Sequence, residues 1–204
     1  MQLKKLAVIC PGIGYTEDKP LLYHSRRIAE AHGYEILTIR YSGLPKKVRG
    51  DRKKMEKSYQ LALEQTEDAL AEIRTEDYED ILFIGKSIGT VVAAAAAVKL
   101  DKAAKTRFLL FTPLEQTFLF PIHDAIAFTG DNDPWVGGKD SRIPELCKGK
   151  NLPYYLIPGG NHSLETNEPM KDLIQLVRIM ETVEKYISAE LQSGNTSSKE
   201  MGRG

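Results

Sequence analysis

Two cysteines and one tryptophan are all that these 204 residues contain of either type. Cys10 and Cys147 fit a reducing compartment and read as thiols rather than as a pair, and neither has the spacing of a metal-ligand set. Net charge is missing too, since 28 Lys and Arg offset 28 Asp and Glu. Nothing global therefore directs the chain to nucleic acid or to an acidic membrane surface. Long hydrophobic runs are also absent. The opening "MQLKKLAVICPG" holds a short apolar run that breaks at Pro11, too little for a signal-peptide core or a membrane span. The expectation is a cytoplasmic protein with neither a nucleic-acid nor a membrane partner; its oligomeric state stays open.

What is present is a hydrophobic fraction of 42% in a chain of one-domain length. Residues 1–191 read as a single domain, and the glycine- and serine-rich stretch 192–204 as a disordered tail. Strand-like runs fall at Lys5–Cys10, Glu35–Tyr41, Asp80–Gly85, Arg107–Thr112, Ala125–Thr129 and Pro153–Ile157. Helical patterns lie between and after them, at Pro20–His32, Asp51–Arg74, Ser87–Leu100, Ser141–Lys148 and Asn167–Leu191. Asp51 can cap the second helix and Gly33 can end the first. Regular β/α alternation predicts an α/β fold, a parallel sheet with helices on both faces in three layers.

The stretch "ILFIGKSIGT", Ile81 to Thr90, carries two competing signatures. Gly-Lys-Ser ends a phosphate-binding P-loop, but that loop needs a glycine five residues before Gly85, where Asp80 stands, and a flexible stretch between. Ile81–Ile84 instead read as a buried strand, which leaves no loop to cradle a phosphate. Gly-x-Ser-x-Gly, the other signature, needs a strand, a sharp turn with small residues around the serine, and a helix. All three are there: the alanine-rich run after Ser87 is strongly helix-prone.

A serine hydroxyl needs a base beside it, and the base needs a carboxylate to fix its tautomer. In a parallel sheet these groups gather at the carboxyl ends of the strands. Of four histidines, only His162, in "IPGGNHS" after the sixth strand, falls on that edge. His24 and His32 sit on the first helix, and His123 precedes its strand. The acid is Asp131 or Asp133 in "GDNDPW", with Asp133 preferred because it lies farther out on the loop and Pro134 stiffens the approach. Backbone amides of Ile88 and of Ile13, in the glycine-rich loop "CPGIGY", are the candidates for an oxyanion hole. Gly12 would allow close approach there.

On these residues the chain resembles a small, lidless member of the α/β-hydrolase superfamily. The order Ser87, Asp133, His162 matches that family's nucleophile, acid and base, and the spacing from Gly130 to Asp133 fits its acid loop. The resemblance implies a six-stranded parallel sheet of order 2-1-3-4-5-6. It also implies a cofactor-free serine hydrolase acting on a small-molecule ester or thioester, with acyl transfer, lysis or non-catalytic binding on the same fold as alternatives. About a dozen residues separate the fourth and fifth strands, too few for a helical cap, so an open, shallow site is expected. Leu114, Phe118, Phe120 and Trp135 are candidates for its apolar wall, with core packing preferred for Phe120. Lys86, before the serine, departs from the family pattern and is a candidate for binding an anionic substrate group. The basic stretch Arg40 to Lys54 reads as a solvated loop and helix start, with binding of phosphate or coenzyme A as the alternative.

Overall fold

The computed structural model describes residues 4–100 and 105–189. The stretch 192–204, expected to be a disordered tail, lies outside them. Six strands form one parallel sheet: β1 (Lys4–Cys10), β2 (Tyr34–Thr38), β3 (Tyr78–Lys86), β4 (Lys105–Phe111), β5 (Ala125–Gly130) and β6 (Tyr154–Ile157). Their order across the sheet is β2-β1-β3-β4-β5-β6. Among the described residues five α-helices connect or follow them: α1 (Pro20–Ala31), α2 (Arg52–Ala71), α3 (Ile88–Ala97), α4 (Ile143–Gly149) and α5 (Pro169–Ser188).

β3 is central because its residues are apolar on both faces. Ile81 and Phe83 enter the core beneath α2, α3 and α4, and Leu82 and Ile84 enter the one beneath α1 and α5. All four are fully buried, each contributing about 1.5–3 kcal/mol relative to exposure. Alternation of side chains along the strand assigns the two faces. The alanines of α3 bring that helix close to the sheet, since they add little bulk between the two backbones.

Element ends differ from the sequence pattern for local reasons. β2 stops at Thr38 rather than Tyr41: Ile39 N still donates to Ile9 O, but β1 ends one residue after its acceptor, so the edge strand has nothing further to pair with. α3 stops at Ala97 rather than Leu100 because the amides of Val98, Lys99 and Leu100 bond three residues back, tightening the last turn. The proposed caps hold. Asp51 accepts from Lys54 N at 3.0 Å, and Gly33 follows α1 with φ +80°.

Winding runs from β1 outward to β2, then crosses back to β3 on the other side of β1. Cys10 at the end of β1 is in register with Gly85, and Lys86 with Phe111. The crevice at a reversal of winding opens between the β1 and β3 loops, and it is here that ligands bind in sheets of this kind.

Candidate active site

Ser87 stands between β3 and α3 with φ 56° and ψ −123°, a backbone conformation that costs a non-glycine residue about 1–3 kcal/mol. The turn persists because its neighbours hold it on both sides. Ser87 N donates to Phe111 O at 3.0 Å, and Thr90 N to Ser87 O at 2.9 Å. A Cβ on Gly89 would fall 2.0 Å from Cys10 O, so only glycine lets α3 approach the end of β1.

His162 comes to the serine on the loop after β6. Asn161 Oδ1 accepts from Ser163 N at 2.7 Å, and Thr112 Oγ1 donates to His162 O at 3.3 Å. The β5 loop meets this loop closely: a Cβ on Gly130 would lie 1.9 Å from Gly160 O. Asp133, fully buried, accepts from Trp135 N through Oδ1 at 2.9 Å and turns Oδ2 to His162 Nδ1 at 2.7 Å. His162 Nε2 lies 2.8 Å from Ser87 Oγ. Asp131 does other work, accepting from Gly159 N at 2.6 Å. The three side chains thus form one hydrogen-bonded chain, and Asp133 rather than Asp131 completes it.

The surroundings of His162 favour its neutral form. Burial lowers the His162 pKa foremost; the bond to Asp133 opposes that, while the charges of Lys86 and Arg49 add to the lowering. The Trp135 ring stacks on the imidazole with centroids 5.2 Å apart, and the Arg49 guanidinium lies over that indole at 5.9 Å.

One cavity is lined by the serine and a second lies next to it. A small one of about 120 Å³ is lined by Ile13, Tyr15, Lys86, Ser87, Ile88 and His162, among others. A larger one, about 670 Å³, runs between the start of α2 and the 3-10 turn Glu115–Leu119 and shares Met55, Ile88 and Trp135 with the first. Its remaining wall is mostly apolar, with Tyr59, Val91, Leu114, Leu119 and Phe120. The site is therefore open, without a helical cap over the β4–β5 connection, but it is not shallow.

One expectation about the wall is overturned. Phe118 is buried in the core and does not line the cavity, whereas Phe120 packs against that core and lines the cavity as well. Leu114 and Trp135 stand where expected. Gly12 lies behind the turn, where a Cβ would meet Lys86 O at 3.1 Å and Ser87 Cβ at 3.3 Å. Its amide and carbonyl close a turn with Tyr15, which puts Ile13 at the tip facing the small cavity. Ile88 opens α3, where first-turn amides have no acceptor within the helix.

Lys86 is 1% exposed, and its ammonium lies 5.0 Å from the centre of the Tyr15 ring. It is buried, and it lines the small cavity beside Ser87 and His162. Arg49, Tyr15, Met55 and Tyr59 carry no motif that assigns them to the site, and Met55 and Tyr59 read from sequence only as apolar positions at helical spacing on the second helix. The basic stretch that contains Arg49 was the available signal, and the structure brings its end, Gly50 to Arg52, to the rim of the large cavity.

The sheet order, the strained serine turn and the histidine and acid loops agree on one architecture. The fold is that of the α/β hydrolases. Solved structures with the α/β-hydrolase fold superpose on most of the chain. A lidless α/β serine hydrolase from Xanthomonas campestris gives a TM-score of 0.65 at 12% identity, covering 96% of this chain and 86% of that one. Est1E from Butyrivibrio proteoclasticus, with ferulic acid bound, gives 0.66 at 16%, covering 90% and 88%. An α-β serine hydrolase homologue from Coxiella burnetii gives 0.61 at 16%, covering 89% and 84%. No protein-family model and no curated protein sequence matches the chain.

Proposed function

We propose that this protein is a serine hydrolase that cleaves carboxylic esters or thioesters of an apolar acyl group. The observation that carries the reading is the continuous chain from Ser87 Oγ to His162 Nε2 at 2.8 Å and from His162 Nδ1 to Asp133 Oδ2 at 2.7 Å. Ser87 attacks the acyl carbon while His162 Nε2 takes its proton, and the imidazolium so formed is held by Asp133. Ile88 and Ile13 amides receive the developing oxyanion. His162 then returns the proton to the leaving alcohol or thiol. Water, activated by the same imidazole, releases the acid and restores the serine.

The substrate class follows from the walls. The 670 Å³ cavity has the size of a small-molecule site, and its lining suits an alkyl or aromatic acyl chain better than a charged one. Est1E, which shares the fold, binds an aromatic acid. Hydrolysis of p-nitrophenyl esters of graded acyl length, and of matched thioesters, tests the reading. Expected is kcat/KM that rises as the chain lengthens from acetyl into the cavity and that vanishes in Ser87→Ala. Equal rates for wild type and Ser87→Ala, or no turnover of any ester, would overturn it.

A further inference from the structure

Lys86 is the last residue of β3 and the neighbour of the nucleophile. It continues the strand face of Leu82 and Ile84, so its side chain runs inward beneath the histidine loop toward Tyr15. The buried carboxylates Asp80 and Asp133 pair with Arg107 and His162, and Lys86 makes no salt bridge among the described residues. A buried amine without a counter-ion is costly, and packing alone would be served better by an apolar residue. Yet Lys86 lines the same small cavity as Ser87 and His162.

Four elements bring charge or protons to it. Asp133 comes from the β5 loop, His162 and Glu165 from the β6 loop, and Tyr15 from the β1 loop; Arg49 faces His162 from the β2–α2 connection. Tyr15 does not titrate near neutrality, since burial pushes its phenol up to about 12. The groups that exchange protons there are the amine and the imidazole.

We propose that Lys86 is a positioning residue for the catalytic proton: it takes the first proton that enters the cluster beneath the nucleophile and so holds His162 in the neutral form that serves as base. This rests on the triad reading above. Burial pulls Lys86 down to about 7, against Asp133 and Glu165, which hold it up. His162 is lowered from 6.5. As pH falls, the amine becomes an ammonium first, and a second proton must then enter the imidazole beside that charge at low dielectric. Two groups so coupled titrate as a pair, in two macroscopic steps. The same ammonium opposes the imidazolium of the transition state. Rate therefore climbs twice with pH, first as His162 loses its proton and again near 7 as Lys86 does. A lysine buried only for packing would leave a single histidine step.

The experiment follows the Cε1 proton of His162 by NMR from about pH 5 to 9, in wild type and in Lys86→Met, with His162→Ala used for assignment and with the pH profile of ester kcat/KM alongside. Wild type should show two inflections, one below 6.5 and one near 7. Lys86→Met should show one, moved to higher pH by about half a unit or more, and its rate profile should lose the second rise. One inflection in wild type, or an unmoved midpoint in the variant, overturns the proposal. Should Lys86→Met not fold, the wild-type titration decides by itself. Fluorophosphonate labelling of Ser87 in the same sample tests the hydrolase reading separately, because coupling between two titrating side chains needs no substrate.

Discussion

Replacing Asp133 by Asn changes one atom and almost no volume, yet it should remove nearly all turnover. The Asp133 carboxylate receives two donors, Trp135 N at 2.9 Å on Oδ1 and His162 Nδ1 at 2.7 Å on Oδ2. Asparagine keeps one acceptor. If its oxygen stays with the Trp135 amide, its NH₂ points at His162 Nδ1 and must donate there, which forces the proton onto Nε2. An Nε2–H cannot take the Ser87 proton across the 2.8 Å contact. The comparable substitution in a serine protease triad lowers kcat by about 10⁴, which at 1.36 kcal/mol per decade is roughly 5 kcal/mol of transition-state stabilisation. Stability should change far less, since both hydrogen bonds survive and only the one to His162 reverses its polarity. Asp131→Asn is the control: it weakens one bond to Gly159 N and should keep turnover within about tenfold. Initial rates on a p-nitrophenyl ester, with thermal melts of all three proteins, measure both effects. An Asp133→Asn enzyme within tenfold of wild type, beside an inactive Asp131→Asn enzyme, would refute the assignment of the acid.

Three other outcomes are expected. Gly89→Ala places a methyl 2.0 Å from Cys10 O, so α3 and the loop after β1 must separate; kcat/KM should fall about 10²-fold in steady-state assays, with some loss of melting temperature. Arg107→Met strips the guanidinium that bonds Asp80 Oδ2 at 3.1 Å, leaving a buried carboxylate held by Tyr34 alone; this should cost about 3–5 kcal/mol, or roughly 10 °C in a thermal melt. Lys86 has its folded pKa lowered from 10.5 to about 7, so between those values the unfolded chain binds a proton that the folded chain does not. Wild-type stability should thus rise with pH across that window. Lys86→Met should melt higher than wild type at pH 7, with the gap closing toward pH 10; a gap independent of pH would contradict the shift.

Much of this architecture was legible because it rests on local signals. Apolar runs bounded by glycine and proline mark the strands, and the nucleophile turn announces itself when a buried strand runs into Gly85 and an alanine helix leaves Gly89. The serine and histidine could be assigned because only one edge of a parallel sheet gathers loops for chemistry. Choosing Asp133 over Asp131 was harder, since both sit in one turn-forming stretch and only the path of the β6 loop separates them. The cavity wall was not legible. Phe118 and Phe120 fall in and just after a 3-10 turn, where a two-residue step moves a side chain from the core to the opening. The opposite wall comes from the start of α2, distant in sequence, and its position depends on how the basic connection after β2 folds back over Trp135.

The central claim is that Ser87 is an activated nucleophile. Mass-spectrometric labelling of the purified protein with a fluorophosphonate, with Ser87→Ala and His162→Ala proteins alongside, tests it most directly. One adduct per chain is expected, on Ser87, absent from both variants. An unlabelled wild type, or labelling that survives loss of His162, would contradict it.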